Sequence, residues 1–343
     1  MSAAAREIGH SPWRSPWQAF YAAAHRLRRR WYASRSAHLP RPVISVGNLH
    51  WGGSGKTPLT AAIAEHLVAG GARVAILSRG YGRRDRQVRI VSIGEGPLLG
   101  PSVAGDEPVL LAGEVPGAAV IVAPERYAAG RHAMERLDPP PDIFVLDDGF
   151  SHLGLARDID LLVFPAADPL AGAKLWPGGR LREPLASVAH ADAVLLSGGS
   201  QAEAHALAAR LSEFGFTGPG FGCERRFEPP RRVTGGPVPN GARVLVVSGI
   251  ARAGEFESAV GQLDLTLCGA LAFGDHHPYP EASLREIETA YAGGAAEMVL
   301  TTAKDRVKLL GRLDLPLAEL PMRVAPDASF WPWLEAKVTG LGR

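Results

Sequence analysis

Six consecutive residues of this chain have the types that bind a polyphosphate. They are Gly52, Gly53, Ser54, Gly55, Lys56 and Thr57. Glycines allow backbone N–H groups to approach an anion closely. A lysine at this spacing adds a cation for the β- and γ-phosphates, and a threonine hydroxyl is a ligand for Mg²⁺. The stretch therefore predicts a nucleotide-phosphate loop.

The stretch departs at one position from the Walker A pattern G-x-x-x-x-G-K-[ST], because His50 stands where glycine is expected. A flexible turn is the alternative interpretation. We favour a phosphate loop because the apolar run 43–46 precedes it, as a buried strand would, and a helical pattern that includes Pro58 follows it.

Two adjacent acids, Asp147 and Asp148, end the apolar run 143–146. A carboxylate at a strand tip beside a phosphate loop can supply an oxygen ligand to Mg²⁺. Asp-Asp-Gly also starts turns readily, so this motif alone is compatible with a polar turn. Together with the loop, it predicts a Walker B role and a metal site formed with Thr57.

Further charged residues are candidates for catalysis. Asp106 precedes a helical pattern, where it can act as a general base or only cap the helix, and its spacing alone favours the cap. His276 and His277 are adjacent, which is the wrong spacing for a metal pair on a helix but suits a histidine that orients a base. Arginines can bind phosphate through charge, although each alone is more typical of a surface; the candidates are Arg126, Arg180 and Arg182, the last beside Glu183.

The elements that must position these residues follow an alternating pattern. Helix-like segments at 109–114 and 201–214 lie among short apolar runs, at 43–46, 73–77, 88–93, 118–123, 143–146, 161–164 and 193–196. Strands separated by helices indicate βαβ units and a mostly parallel sheet. The fold class predicted is α/β, with a P-loop NTPase-like sheet domain and a smaller C-terminal α/β domain.

A shift in composition separates the two predicted domains. Residues 216–239 are rich in Gly, Pro and Arg and indicate a linker, with a short strand near 225–227. Strand patterns resume at 243–247, 265–271 and 298–300, with a helix from about Gly254. The predicted division is an N-terminal helix at 1–38, a P-loop domain at 39–222, a linker at 223–240 and a C-terminal α/β domain at 241–343.

The first 42 residues carry eight arginines and one acid, Glu7, although the net charge of the 343-residue chain is only +2. Near-helical spacing gives this segment an aromatic face that includes Trp13, Trp17, Phe20, Tyr21, Leu27 and Trp31. Such a helix suits an anionic membrane surface. A helix docked on the protein body and a nucleic-acid contact are the alternatives; the first is nearly as well supported, and no nucleic-acid module supports the second.

Two cysteines, Cys223 and Cys268, fit a reducing cytosol and exclude a disulfide framework. No apolar run reaches the ~18 residues of a membrane-spanning helix, and no signal-peptide pattern is expected.

Taken together, the motifs resemble the tetraacyldisaccharide 4'-kinase (lipid A 4'-kinase) family. The matching segments are 46–48, 52–58, 78–83, 105–108, 147–150, 181–184, 273–279 and 301–305. The resemblance implies transfer of the γ-phosphate of ATP, with Mg²⁺, to the 4'-hydroxyl of a tetraacylated glucosamine disaccharide 1-phosphate, which gives lipid IVA in lipid A biosynthesis. It also implies a peripheral enzyme on the cytoplasmic face of the bacterial inner membrane, with no nucleic-acid partner.

The resemblance also implies roles for individual residues. Asp106 is expected to be the base, assisted by His276 or His277, and Arg126 is expected to stabilise charge on the transferred group. Tyr81, Arg182 and Glu183 are expected to line the substrate site. The phosphate and metal roles agree with those given above for the loop and for Asp147 and Asp148.

Three positions depart from the family pattern: Ser151 replaces glutamine, Ala303 replaces glutamate and Arg180 replaces proline. None removes a residue with a central chemical role, although Ser151 lies near the predicted metal site. Two other functions are compatible with the loop. One is a P-loop GTPase or metallochaperone, for which an Asn-Lys-x-Asp signature is missing; the other is a nucleotide-gated membrane-binding protein without catalysis.

Overall fold

The computed structural model describes residues 16–83, 85–170, 172, 174–176 and 178–342. Its strands are β1 (Val43–Gly47), β2 (Val74–Ser78), β3 (Arg89–Ile93), β4 (Ala119–Val122), β5 (Ile143–Asp147), β6 (Ile159–Pro165), β7 (Ala193–Ser197), β8 (Gly220–Phe227), β9 (Arg231–Arg232), β10 (Arg243–Ser248), β11 (Thr266–Ala272), β12 (Met298–Thr302), β13 (Leu317–Leu320) and β14 (Met322–Pro326).

Its α-helices are α1 (Pro16–Ala33), α2 (Lys56–Ala69), α3 (Pro101–Ala104), α4 (Asp106–Glu114), α5 (Arg126–Arg136), α6 (Gln201–Leu211), α7 (Ala253–Val260), α8 (Glu281–Gly293), α9 (Ala303–Leu309) and α10 (Phe330–Gly340). Short 3₁₀ helices cover Leu185–His190 and Ser212–Phe214. Within the described ranges, every helix is too short or too polar to cross a bilayer.

The larger sheet has nine strands in the order β14-β8-β7-β6-β1-β5-β2-β4-β3. Its inner strands are parallel, and only the edge strands β3 and β14 pair in the antiparallel sense. The central strands β1 and β5 are buried along their whole length, which explains their continuous apolar sequences. The predicted mostly parallel α/β sheet is confirmed.

The pairing of β1 with β5 brings the two main motifs together. The register places Val46 opposite Asp147, and both strands run in the same direction. The loop that follows β1 and the acids that end β5 therefore lie at the same carboxyl edge of the sheet. This edge is where open α/β sheets bind ligands.

The smaller sheet has five strands in the order β11-β10-β12-β13-β9. Its first four strands are parallel, and β9 is antiparallel to β13. Buried side chains lie on both faces, with Val244 and Leu300 in one apolar cluster and Leu245 and Tyr279 in another. A second, smaller α/β unit is thus present, as predicted.

The boundaries between the two sheets differ from the predicted domain boundaries. The predicted linker contains most of β8, an eight-residue strand that extends the larger sheet. After the smaller sheet, β14 pairs with β8, and Phe330 and Leu334 of α10 are buried in the core of the larger sheet. The first half of β8 is buried and includes Phe221 and Cys223. Its second half is largely exposed and rich in arginine, which is the composition expected of a linker.

Helix α1 lies against the larger unit through one face. Tyr21 donates a hydrogen bond from its hydroxyl to the backbone carbonyl of Arg182 at 2.9 Å. The opposite face exposes Phe20 (65%), Leu27 (68%) and Trp31 (51%). Phe20, Leu27 and Trp31 of the predicted aromatic face are therefore exposed, whereas Tyr21, predicted on the same face, lies on the docked side. The predicted helix residues 1–15 lie outside the described part of the chain.

Candidate active site

The phosphate loop connects β1 to α2, and its conformation depends on a glycine and on a hydrogen bond within the loop. Gly55 caps α2 with φ of 91°, a left-handed conformation, and a Cβ there would lie 2.6 Å from Ser197 Oγ. Asn48 donates from Nδ2 to Ser54 Oγ at 2.7 Å, which closes the loop internally. Lys56 and Thr57 then begin the helix, where unpaired N–H groups and the helix dipole favour an anion.

His50, which replaces the expected glycine, packs inward. Its ring meets Phe164 edge-on at a centroid distance of 5.6 Å, and its backbone bridges to Leu181. Burial lowers the pKa of His50 to about 4, so the imidazole is neutral at physiological pH. The departure from the motif is thus accommodated as an apolar packing residue beneath the loop.

Asp147 is buried at the end of β5, beside the first turn of α2. Hydroxyl groups surround it at 3.4 Å, on Thr57, Thr60 and Ser78. Burial, followed by the nearby carboxylates Glu107 and Asp148, raises the pKa of Asp147 well above its ordinary value. An adjacent cation would offset this and keep the carboxylate ionised.

These groups fit a Mg²⁺ ion that is completed by nucleotide oxygens. Mg²⁺ usually takes one or two carboxylates together with waters and substrate phosphates, rather than a cage of protein ligands. The described residues contain no group of three or more His, Cys, Asp or Glu placed to hold a metal ion. Thr57 and Asp147 would be its nearest protein ligands, with Asp148 adjacent.

Asp148 is held by two cations. Arg182 binds it through a two-pronged contact, with Nη1 at 3.0 Å from Oδ2 and Nη2 hydrogen-bonded to Oδ1. Lys56 Nζ lies 3.8 Å from the same carboxylate. Burial opposes ionisation, but Lys56 and Arg182 outweigh it and hold the pKa of Asp148 below its usual range. Arg182, predicted to contact substrate, therefore contacts a predicted metal ligand, and also the carbonyl of Asn48 at 3.2 Å.

Glu183 is a buried carboxylate that faces α1. It is only 2% exposed and receives Arg29 Nη2 at 3.0 Å and Ser151 Oγ at 2.5 Å, with His25 Nε2 at 3.4 Å. Burial alone would raise its pKa, but His25, Arg29 and Ser151 outweigh burial and lower the pKa of Glu183 to about 2. The serine that departs from the family pattern is thus one of its hydrogen-bond donors.

Asp106 begins α4, and its carboxylate faces the smaller sheet. His276 Nδ1 lies 3.6 Å from Asp106 Oδ2. His277 points elsewhere: its Nε2 meets Ser283 Oγ at 2.8 Å. Of the two predicted histidines, the structure brings only His276 to Asp106. Tyr81 is exposed beside them, with its ring 5.5 Å from that of His276.

Arg126 is buried at the start of α5. Its Nη1 donates to the carbonyl of Pro124 at 3.0 Å, and its backbone N–H meets His152 Nε2 at 3.3 Å. Burial lowers the pKa of Arg126 to about 10, although Asp148 and Asp147 partly oppose this. The guanidinium remains charged at neutral pH and interacts electrostatically with the two carboxylates of the predicted metal site.

An open cavity of 470 Å³ lies beside the phosphate loop, between the two units. It is lined by Gly52, Gly53, Ala167, Asp168, Arg180, Ala251, Arg252 and Glu255. Arg180, a departure from the family pattern, therefore lies at this cavity.

Several residues of the site were not predicted. They are Asn48, Thr60, Ser78 and Lys308. Asn48 and Lys308 lie within or close to recognised motifs, which is the one signal that could have found them. Ser78 likewise begins the recognised segment 78–83, whereas Thr60 carries no local pattern that distinguishes it from an ordinary helix residue.

A parallel sheet with this loop and these carboxylates at its carboxyl edge is the architecture of the P-loop nucleotide-binding proteins. Residues 11–339 match the family model described as "Tetraacyldisaccharide-1-P 4'-kinase". The chain therefore belongs to this kinase family, and the family predicted from the motifs is confirmed.

Individual relatives agree with this assignment. A tetraacyldisaccharide 4'-kinase of Geobacter sulfurreducens is 40% identical over 303 residues, covering 86% of this chain and 83% of the relative. One from Anaeromyxobacter sp. (strain Fw109-5) is 44% identical over 277 residues, covering 78% and 73%. The crystal structure of LpxK from Aquifex aeolicus in complex with ATP matches with a TM-score of 0.74 and 31% identity, over 94% of this chain and 96% of that chain.

Proposed function

We propose that this protein transfers the γ-phosphoryl group of ATP to the 4'-hydroxyl of a tetraacylated glucosamine disaccharide 1-phosphate, to give lipid IVA. One observation carries the proposal beyond family membership. Asp106, the candidate base, faces His276 of the smaller unit, with His276 Nδ1 3.6 Å from Asp106 Oδ2. The candidate base and the histidine expected to assist it are thus brought together from the two units.

The protein's own groups act mainly by positioning and by charge. The loop amides and Lys56 would bind the β- and γ-phosphates, and Thr57 and Asp147 would hold the metal. Mg²⁺, when bound, neutralises charge that develops on the phosphates. Arg126 adds positive charge facing the carboxylates.

The proton of the acceptor hydroxyl goes to Asp106. As the sugar oxygen bonds to the γ-phosphorus, the bond from that phosphorus to the β–γ bridging oxygen breaks, and ADP leaves. His276 orients the Asp106 carboxylate, since its Nδ1 lies 3.6 Å away. Tyr81 lies beside this pair and is exposed, as a residue that contacts an entering sugar must be.

The site of action we infer is the cytoplasmic face of the inner membrane. An acylated acceptor resides in a bilayer, and α1 exposes Phe20, Leu27 and Trp31 on one face. Exposed arginines lie beside them, namely Arg26, Arg28 and Arg30. Apolar side chains next to cations suit an anionic lipid surface, so α1 would bring the enzyme to its acceptor. No nucleic-acid partner is proposed.

Transfer of label from γ-labelled ATP tests the function. The purified protein is incubated with tetraacyldisaccharide 1-phosphate in detergent micelles with Mg²⁺, in parallel with Lys56→Ala and with GTP in place of ATP. We expect labelled lipid with ATP and loss of labelling in the variant. Preference for GTP would favour the GTPase alternative, and ATP binding without labelled lipid would favour a binding protein without catalysis.

A further inference from the structure

Lys308 of α9 is a buried cation with several partners. Its side chain is 5% exposed, and its Nζ lies 2.9 Å from Asp305 Oδ1 and 3.6 Å from Asp106 Oδ2. The ammonium also donates to the carbonyl of His277 at 3.0 Å and lies 5.2 Å from the centre of the Tyr279 ring. An ammonium is costly to bury unless such partners are present. Two of these partners, Asp106 and His277, are residues predicted to take part in catalysis.

The position of Lys308 is set by the smaller unit. Its ion-pair partner Asp305 is fully buried and accepts hydrogen bonds from the Gly249 N–H and the Thr302 hydroxyl, both at 2.8 Å. Asp106, in contrast, begins a helix that packs on the larger sheet. Lys308 therefore reaches from a rigid support in one unit to the candidate base in the other.

Lys308 also supports the loop that carries His276. That loop is strained, because the non-glycine residues His276 and Tyr279 have φ of 58° and 49°. Lys308 holds its His277 carbonyl, and Arg312 donates to the carbonyls of Pro278 and Tyr279 at 2.9 and 2.6 Å. These contacts keep His276 in the conformation that brings Nδ1 to Asp106.

We propose that Lys308 is a positioning residue for phosphoryl transfer, because it orients the Asp106 carboxylate directly and fixes the His276 loop against it. This inference rests on the proposed role of Asp106 as the base. The Lys308 ammonium lies 3.6 Å from Asp106 Oδ2, so it can fix the direction in which that carboxylate points.

Other titratable and charged groups surround Asp106 and His276. His276 lies next to Asp106, and Tyr279 interacts electrostatically with Asp106. The more exposed Lys304 meets His276 Nε2 at 3.0 Å and Asp275 Oδ1 at 3.3 Å. Lys308 differs from Lys304 because it contacts Asp106 itself.

Steady-state kinetics of Lys308→Met tests the proposal, with Lys337→Met as the matched control. Lys337 is an exposed lysine paired with Asp192. We expect Lys308→Met to lower kcat about tenfold or more, part of the roughly 10²–10⁴ that general base catalysis supplies. KM for ATP should stay within about twofold, since ATP binds at the phosphate loop. Lys308→Arg should recover part of kcat, because it restores a positive charge at the same position.

A second variant separates the lost charge from a folding defect. Lys308→Gln keeps a donor for the His277 carbonyl but removes the positive charge, and its melting temperature and ATP affinity are measured beside kcat. We expect kcat to fall as in Lys308→Met, with the melting temperature and ATP affinity close to those of wild type. A Lys308→Gln enzyme with the kcat of wild type would overturn the proposal.

Double variants separate failure of this proposal from failure of the base assignment. If Lys308 acts through Asp106, Asp106→Asn combined with Lys308→Gln should be no slower than Asp106→Asn alone. A multiplicative loss would overturn the role of Lys308 and leave Asp106 as the base. Near-normal turnover by Asp106→Asn itself would overturn the base assignment and, with it, this inference.

Discussion

Arg29 of α1 donates a hydrogen bond from Nη2 to Glu183 Oε2 at 3.0 Å. Glu183 directly follows Arg182, which binds Asp148 at the predicted metal site. The helix with the exposed aromatic face is therefore docked on the same segment that holds a site carboxylate. The docking of α1 and the position of Asp148 are thus linked through two consecutive residues, Arg182 and Glu183.

Replacing Arg29 with methionine is expected to destabilise the fold. Met keeps much of the apolar stem but leaves the buried Glu183 with only His25 and Ser151 as partners. Loss of one charged partner of a buried carboxylate should lower the free energy of unfolding by about 2 kcal/mol. Urea unfolding measures this. Arg131→Met, which removes an exposed pair with Glu135, should change the free energy of unfolding far less. Equal costs for the two variants would show that the Glu183 cluster does not secure α1.

Glu183 should also make stability depend on pH in the acid range. Its pKa is lowered to about 2 in the folded protein from an ordinary value of 4.5. A lowered carboxyl pKa adds stability that is fully present above the unfolded-state pKa and is lost as pH falls through the folded-state pKa. As the pH falls from about 4.5 to 2, protonation of Glu183 should lower the free energy of unfolding by about 3 kcal/mol.

Comparison of wild type with Glu183→Gln isolates this contribution. Unfolding free energies are measured for both proteins from pH 6 downwards, and their difference should shrink towards low pH as Glu183 becomes protonated. A difference that stays constant with pH would show that Glu183 does not titrate in this way.

The exposed face of α1 is predicted to bind anionic lipid. Leu27→Gln combined with Trp31→Gln removes two large exposed apolar side chains, each worth about 1.5–3 kcal/mol when buried. We expect partitioning onto anionic vesicles to fall at least about tenfold in a sedimentation assay. Leu310→Gln, at an exposed leucine in the smaller unit, is the control. Unchanged partitioning of the double variant would contradict a membrane role for this face.

Restoring the expected glycine at position 50 should not improve the loop. His50→Gly removes a buried ring from its contact with Phe164 and adds backbone freedom in the unfolded chain. We expect the free energy of unfolding to fall by about 2–4 kcal/mol, with KM for ATP no better than wild type. His38→Gly, at an exposed histidine, is the control for the backbone effect. A more stable His50→Gly protein would show that the histidine is strained rather than packed.

The local parts of the site could be predicted from the sequence. The phosphate loop and the Asp147–Asp148 pair are each contiguous with a buried strand, and parallel strands bring their carboxyl ends to one edge. Strand, loop and helix patterns are sufficient for such motifs. Residue types alone made Asp106 and the two histidines candidates, and the family resemblance favoured the base over the helix cap for Asp106. Neither could choose between the histidines, because adjacent residues point in different directions. The left-handed backbone of His276 decides which one meets Asp106.

Contacts between distant segments could not be predicted. Periodicity does not reveal that β14 and α10 return to the larger sheet, or that α5 begins with a buried arginine. Lys308 looks like an ordinary helix residue until α9 packs against α4 and places its ammonium beside Asp106. Such ion pairs depend on tertiary packing, which no local spacing of residues contains.

The most direct test of the proposed function is identification of the reaction product. Purified protein, Mg²⁺, ATP and tetraacyldisaccharide 1-phosphate are incubated in micelles, and the lipid is analysed by mass spectrometry and ³¹P NMR. We expect a lipid that is heavier by one phosphoryl group, with a new phosphomonoester at the 4' position and one ADP formed per lipid. ATP consumed without lipid product, or a phosphate ester at a different hydroxyl, would contradict it.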